Sequence, residues 1–275
     1  MGVAKRDARP AGPLGEEMRK LGRSFWKRWA SISPRKTVVR GGITYALDCR
    51  ELIDCDIYLG GWEPDTIACL RRHVREGMTV LEVGANVGAH TLILAQLAGG
   101  PGRVHAVEPT DFAKTKLERT LSLNPALAGR VTLHQCMISA EIKARGAARI
   151  KCSWQRGPDA GGGAEDVALP VRTIDALLRE VSGGRVDFIK IDVDGYDLKA
   201  LQGAAGTLAR ARPAVFVEIR NWALARHGQS GREILDFMQS LGYTGYRTRA
   251  PHSALDAAAI DAMPEGGGID GLFLP

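Results

Sequence analysis

The sequence has no apolar run approaching the roughly 20 residues that a bilayer span needs, and its N-terminus lacks the apolar segment of a secretory leader. A soluble, cytoplasmic protein is the expectation. Its five cysteines, Cys49, Cys55, Cys69, Cys136 and Cys152, are odd in number and irregularly spaced, with no C-x-x-C pair. No His-x-x-x-His pair occurs either, so neither a disulfide framework nor a structural zinc site is expected. Reduced thiols are the simpler reading, with Cys69 and Cys136 filling the core. A large charge excess is also missing once the tail is set apart. Residues 1–36 hold ten Lys/Arg against three acids, whereas the whole chain has a net charge of +6. The body is therefore close to neutral, which argues against a broad nucleic-acid-binding face.

Glycine is plentiful, and its placement is informative. Thr79–Thr91 reads TVLEVGANVGAHT: a short apolar run with Glu82 in it, then Gly84 and Gly88, then a helical pattern over Leu92–Leu97. A buried strand, a glycine turn and a helix in that order let backbone approach a ligand closely. Downstream the pattern repeats as strand and helix. Strands are predicted at Val104–Glu108, Val131–Ile138, Val186–Ile191, Ala214–Ile219, Tyr243–Arg247 and Asp270–Leu274. Helices are predicted at Asp111–Leu123, Thr173–Val181, Leu198–Ala211 and Gly231–Leu241. Ahead of the glycine turn, Val38–Leu47 reads as a hairpin at Gly41-Gly42, and Pro64 opens a helix with Ile67, Leu70 and Val74 on its apolar face. Helix capping alone is enough to account for Glu63. Met18, Leu21, Phe25, Trp29 and Ile32 recur at helical spacing among arginines and lysines, forming a basic amphipathic helix. Contact with an anionic membrane surface is one reading of it, and packing on the domain is the other. Ala144–Leu169 breaks the rhythm; it is read as a short strand at Ala148–Ser153 followed by a glycine-rich loop, and 249–268 is read as irregular.

The glycine turn is not a dinucleotide fingerprint, because Asn86 stands where the second glycine belongs. What it offers instead is a carboxylate, Glu82, two residues before Gly84, at the strand's carboxyl end where open α/β sheets bind ligands. A carboxylate there can accept from an ammonium group. Glu108 ends the next strand and can accept from both hydroxyls of a ribose. An amino acid joined to a nucleoside describes S-adenosylmethionine.

LEVGANVGAHTLILAQLAG, GRVHAVEP, TIDALL, VDFIKIDVDGYDLKALQGAAGTL and RPAVFVEI, in this order and with Trp62-Glu63-Pro64, resemble the FkbM family of S-adenosylmethionine-dependent methyltransferases. The resemblance runs from about Tyr58 to Tyr243. It implies an α/β fold of class I methyltransferase type: a seven-stranded, mostly parallel Rossmann-like sheet with helices on both faces, here with an N-terminal helix and hairpin cover. Residues 37–275 would form that domain and 1–36 a basic, partly disordered tail. The resemblance puts Glu82, Gly84, Ala85, Asn86 and Gly88 around the methionine end of the donor, Glu108 on the ribose, and Met137 and Ile138 at the adenine. Glu63, His90, Thr91 and Pro109 join the donor group as neighbours of these motifs.

Asp192 would sit beside the transferred methyl and is the leading proton acceptor, with Lys190 and Asp194 as its catalytic companions. A structural Lys190–Asp192 ion pair is the competing reading. Tyr58, Trp62 and Glu218 are candidates for contact with substrate. Asp194 and Asp197 stand where the family commonly has Glu. Asp192, Asp194 and Asp197 together are a candidate for Mg²⁺, although a capped helix start explains three such acids equally simply. The expected activity is methyl transfer to a hydroxyl of a small molecule, a sugar or a glycosylated natural product. An N-methyltransferase acting on RNA or protein, and a donor-binding scaffold without activity, are the alternatives.

Overall fold

A computed structural model of the chain describes residues 34–155, 163–249 and 253–275. The predicted amphipathic helix and most of the predicted glycine-rich loop lie outside these residues. The hairpin is present as β1 (Arg35–Arg40) and β2 (Ile43–Asp48), turned at Gly41 and Gly42, both at positive φ. Its first strand begins two residues inside the stretch read as tail. β2 buries alternate residues, Ile43, Tyr45 and Leu47, so one face is committed to the core. Two helices follow, α1 (Leu52–Tyr58) and α2 (Pro64–His73), the second opened by proline as expected.

The core then runs β3 (Thr79–Val83), α3 (Thr91–Ala98), β4 (Arg103–Val107), α4 (Asp111–Ser122), α5 (Pro125–Ala128) and β5 (Val131–His134). After an excursion through β6 (Met137–Ile138), β7 (Lys143–Lys151) and β8 (Ala164–Arg172), it resumes with α6 (Ile174–Ser182), β9 (Phe188–Ile191), α7 (Asp197–Gln202), α8 (Ala205–Ala211) and β10 (Ala214–Ile219). It closes with α9 (Asn221–Leu224), α10 (Gly231–Ser240), β11 (Thr244–Arg247), α11 (Ala257–Asp261) and β12 (Ile269–Leu274).

Seven strands form one sheet in the order β11-β12-β10-β9-β3-β4-β5. All neighbours are parallel except β12, which runs antiparallel between β10 and β11. Strand side chains alternate between two apolar layers. Leu81, Ile189 and Val217 pack with Leu177, Leu201 and Met238 on one face. Val80, Phe188 and Phe216 pack with Leu70 and Leu94 on the other. The chain leaves β3 towards β4 on one side and returns to β9 on the other. That switch point opens a crevice at the carboxyl ends of β3 and β9, where such sheets bind ligands.

Four expectations need correction. The predicted third strand is two: β5 stays in the main sheet, while Met137–Ile138 pairs in parallel with Val171–Arg172 in a separate three-stranded sheet, β6-β8-β7. β8 occupies residues read as loop, because its outward face is polar and only Val167 and Val171 are buried. The predicted helix over 198–211 breaks at Gly203, where a Cβ would lie 2.3 Å from the Ser139 carbonyl oxygen. The stretch 249–268 also contains a helix, α11, that was not anticipated.

Two side-chain amides fasten the hairpin to the core: Gln96 Nε2 donates to the Gly41 carbonyl at 3.0 Å, and Asn124 grips β2. Asn124 Oδ1 accepts from the Thr44 N–H at 2.9 Å, and its Nδ2 donates to the Thr44 carbonyl at 2.7 Å and the Thr120 carbonyl at 2.8 Å. Truncating it leaves buried backbone groups unpaired. Asn124→Ala is expected to lower the unfolding free energy by about 2 kcal/mol in a urea titration.

Candidate active site

Beyond β3 the chain turns at once. The N–H groups of Gly84 and Ala85 both donate to the Val107 carbonyl at 3.0 Å, tying the turn to the end of β4. Gly84 has φ +87°, and a Cβ there would stand 2.0 Å from the Asp192 carbonyl oxygen, so only glycine fits. Asn86 takes φ +49° and accepts from the Val87 N–H through Oδ1 at 2.8 Å. Gly88 lies against Leu117, and His90 precedes the first turn of α3 without capping it.

Glu82 is fully buried. One carboxyl oxygen accepts from the Thr91 hydroxyl at 2.6 Å, and the other, Oε1, has no partner. Burial pushes this carboxyl up to about 7, against the opposing pull of Lys190. Glu108 is also buried. Its Oε2 accepts from the Asn86 N–H at 2.9 Å and its Oε1 from the Thr110 N–H and hydroxyl, at 2.9 and 2.5 Å. Glu108 thus holds the turn, and Oε2, which accepts one hydrogen bond, keeps a lone pair for a ligand. Pro109 follows it, and Met137 and Ile138 stand in the second sheet, beyond the end of β5.

A second group gathers around Lys190. Its side chain is buried, with Nζ 3.0 Å from Asp192 Oδ2. Burial pulls the lysine down, but the charges of Asp192, Glu82 and Glu63 outweigh it and raise it overall. Asp192, 27% exposed, is the open end of this pair. Its burial is overcome by Lys190 and by a hydrogen bond from Glu218, which hold it at about 2. Burial and the negative charge of Asp192 raise Glu218 well above the usual carboxylate range, favouring its protonated form beside Asp192. Arg220 closes on the other side of Glu218. An aspartate held ionised in this way is a weaker base than a free carboxylate.

Glu63 also differs from its reading as a cap. Its backbone is left-handed, with φ +34°, and its side chain caps nothing in α2. Its Oε2 lies 3.5 Å from Nε2 of His90, a buried ring that burial, helped by Lys190, pushes down to about 3 and keeps neutral. Burial, then Asp192, pushes Glu63 up to about 7.

The Mg²⁺ candidate does not assemble. Asp197 turns back to accept from the Val193 N–H at 3.1 Å and the Gly195 N–H at 2.9 Å, Asp192 is taken by Lys190, and Asp194 is exposed. Among the described residues no group of three His, Cys, Asp or Glu is placed to hold a metal ion. Tyr58 and Trp62 pack, partly buried, on the cluster shared by the hairpin and the glycine turn, and Lys36 and Arg40 lie over the Tyr58 ring.

Sequence reasoning missed a cleft of about 460 Å³, lined by Glu63, Glu218, Arg220 and Asp270, with Arg247 and Arg249 at its mouth. Asp270 faces Glu218 only through the antiparallel register of β12 with β10. No local pattern announces that pairing.

This strand order, with a glycine turn after the first strand and an acid after the second, defines a class I S-adenosylmethionine-dependent methyltransferase fold. The FkbM methyltransferase domain matches residues 82–244, more than half of the chain, and the chain belongs to that family. A protein-L-isoaspartate O-methyltransferase of Methanococcoides burtonii is 40% identical over 57 residues, 19% of this chain and 28% of that protein. The chain thus matches little more than a quarter of that curated relative's length. The crystal structure of an FkbM methyltransferase from Methylobacillus flagellatus overlaps 71% of this chain and 43% of its own, at 19% identity and a TM-score of 0.45. An O-methyltransferase from Bacillus cereus, in complex with SAH, overlaps 78% and 82%, at 15% identity and a TM-score of 0.44.

The shift at Glu82 makes stability depend on pH. Its folded-state pKa, about 7, lies above its ordinary value, so its contribution is complete at low pH and is lost as pH rises through 7. In thermal unfolding of the ligand-free protein, Glu82→Gln is expected to remove on the order of 3 kcal/mol of the decline between pH 5 and pH 8. Parallel declines in both proteins would show that Glu82 is ionised throughout.

Proposed function

We propose that the chain transfers the methyl group of S-adenosylmethionine to a hydroxyl oxygen of a small molecule, a sugar or a glycosylated natural product. The observation that carries the donor assignment is the unpartnered Glu82 Oε1, buried beside a turn whose Gly84 leaves no room for a side chain. A buried carboxylate oxygen without a donor is costly, and an ammonium group would satisfy it. Glu108 would accept from the ribose hydroxyls, with Met137 and Ile138 along the adenine, as the family resemblance implies. When bound, the donor supplies a methyl on a positively charged sulfur, ready for in-line attack.

The chain's own part is to hold, orient and deprotonate. Lys190 keeps Asp192 ionised, and Glu218, protonated, fixes its direction. An ionised carboxylate facing the crevice favours positive charge there. Glu63 is the group matched to receiving a hydroxyl proton near neutrality: it lines the cleft, and its pKa of about 7 is close to the pH at which it would work. His90, neutral, lies 3.5 Å behind it.

Calorimetry separates the cofactor readings. S-adenosylmethionine should bind and NAD should not, and Glu108→Ala should weaken donor binding by about tenfold or more. Absence of donor binding would overturn the assignment. In transfer of radiolabelled methyl to a mixture of monosaccharides and glycosides, Glu63→Gln should lower the rate about 100-fold with donor binding intact. The wild-type rate should rise as pH passes 7.

A further inference from the structure

We infer that the Thr248 hydroxyl and the Arg220 Nε–H recognise a second hydroxyl on the acceptor, so that the cleft takes a diol or polyol and discriminates against a molecule with one hydroxyl. The inference rests on the methyl-transfer reading for the purpose of the cleft, but the recognition stands on the cleft's own walls. The strand order β11-β12-β10 brings three segments to one corner. Glu218 on β10 and Asp270 on β12 are register partners. The last pair of β11 with β12 is Arg247 with Gly271, and one position further on the Thr248 N–H donates to the Asp270 carbonyl at 3.0 Å. That bond pins the bend after β11 against β12, with Thr248, Asp270 and Glu218 all lining the cleft. Arg220, the residue after β10, lines it too.

Two of these groups lack a partner among the described residues. Thr248 is only 7% exposed, yet its hydroxyl meets no donor or acceptor. Arg220 spends one amino group on Glu218, while its buried Nε–H is unpaired. A polar atom buried without a partner is costly, and here two such atoms belong to the lining of one cavity. Gly268 keeps Arg220 approachable. Its φ is outside the left-handed region, so its backbone does not demand glycine, but a Cβ there would stand 3.5 Å from Arg220 Nε. The wall chemistry then selects the ligand. Arg220 Nε–H only donates, the Thr248 hydroxyl donates and accepts, and an ionised Asp270 or Glu63 accepts. A hydroxyl can accept from Arg220 and give its own proton to Thr248 or Asp270. The reacting hydroxyl is left for Glu63, the cleft group matched to receive its proton. A molecule with a single hydroxyl fills one of these places and leaves the other's buried groups unpaired, which is the strongest basis a site has for rejecting an analogue. A volume of about 460 Å³ has room for a ring bearing both.

The test is an NMR titration of the full chain with cis- and trans-1,2-cyclohexanediol and with cyclohexanol, rings that differ by one hydroxyl. At least one diol should bind about tenfold tighter than cyclohexanol. Thr248→Val keeps the shape and removes the hydroxyl, and should cut that preference to about twofold or less, whereas Thr248→Ser should retain it. Because the hydroxyl has no protein partner, ligand-free Thr248→Val should melt at or above the wild-type temperature, which separates lost recognition from lost folding. Equal affinity for the diols and cyclohexanol would overturn the inference. So would no diol binding up to about 100 mM, or a preference that survives in Thr248→Val. A fall of more than about 5 °C in that variant's melting temperature would do the same, since the hydroxyl would then serve the fold. S-adenosylmethionine binding to the wild-type protein separates the two readings. If the donor fails to bind while the diol preference holds, the methyl-transfer reading fails and the cleft recognition stands. Donor binding without a diol preference removes only the second-hydroxyl contact.

Discussion

The site depends on one buried cation. Lys190, near the end of β9, is surrounded by Asp192, Glu82 and Glu63, with Glu218 and Asp270 close behind. Several carboxyl groups cannot all be ionised in so small and dry a space, and a single ammonium decides which one is. It selects Asp192. The rest are pushed towards their neutral forms and so become hydrogen-bond donors, proton acceptors near neutrality, or a half-empty seat for an incoming ammonium. The two proposed ligand sites flank this lysine, the glycine turn on the β3 side and the cleft on the β10 and β12 side. Donor and acceptor chemistry are therefore set by the same charge balance.

The family's Glu-to-Asp departures are consistent with the local backbone. Asp194 has φ +49°, a left-handed conformation that aspartate tolerates better than most side chains. Asp197 folds back onto two amides of its own loop, a reach that its short side chain makes without strain. Those two bonds close the loop between β9 and α7 into a self-contained turn. Asp192 remains the acid of that loop facing the crevice.

How much of this could be read beforehand follows from which contacts are local. The glycine turn, Glu82, Asn86 and Glu108 lie within one strand-turn-helix-strand unit, and their spacing carries their geometry. The acceptor side is different. Glu218 and Asp270 meet through strand register, and Glu63 reaches them from a segment before the sheet begins. A cap and a cleft-lining acid look the same at Glu63, because both place a carboxylate just ahead of a proline-led helix. β8 went unread for a related reason: a strand with one polar face and a nearby glycine-rich stretch has the composition of a loop until its partner is known. The basicity of Asp192 depends on Lys190 and Glu218, and sequence does not record how tightly they press.

The position of β12 has a consequence in time. It is inserted antiparallel between β10 and β11, and it carries Asp270 into a cavity whose opposite wall is Glu63. The donor turn can form from early, short-range contacts, whereas the cavity closes only when segments from opposite ends of the chain meet. A chain emerging from the ribosome would thus be able to seat a methyl donor before it had anywhere to deliver the methyl.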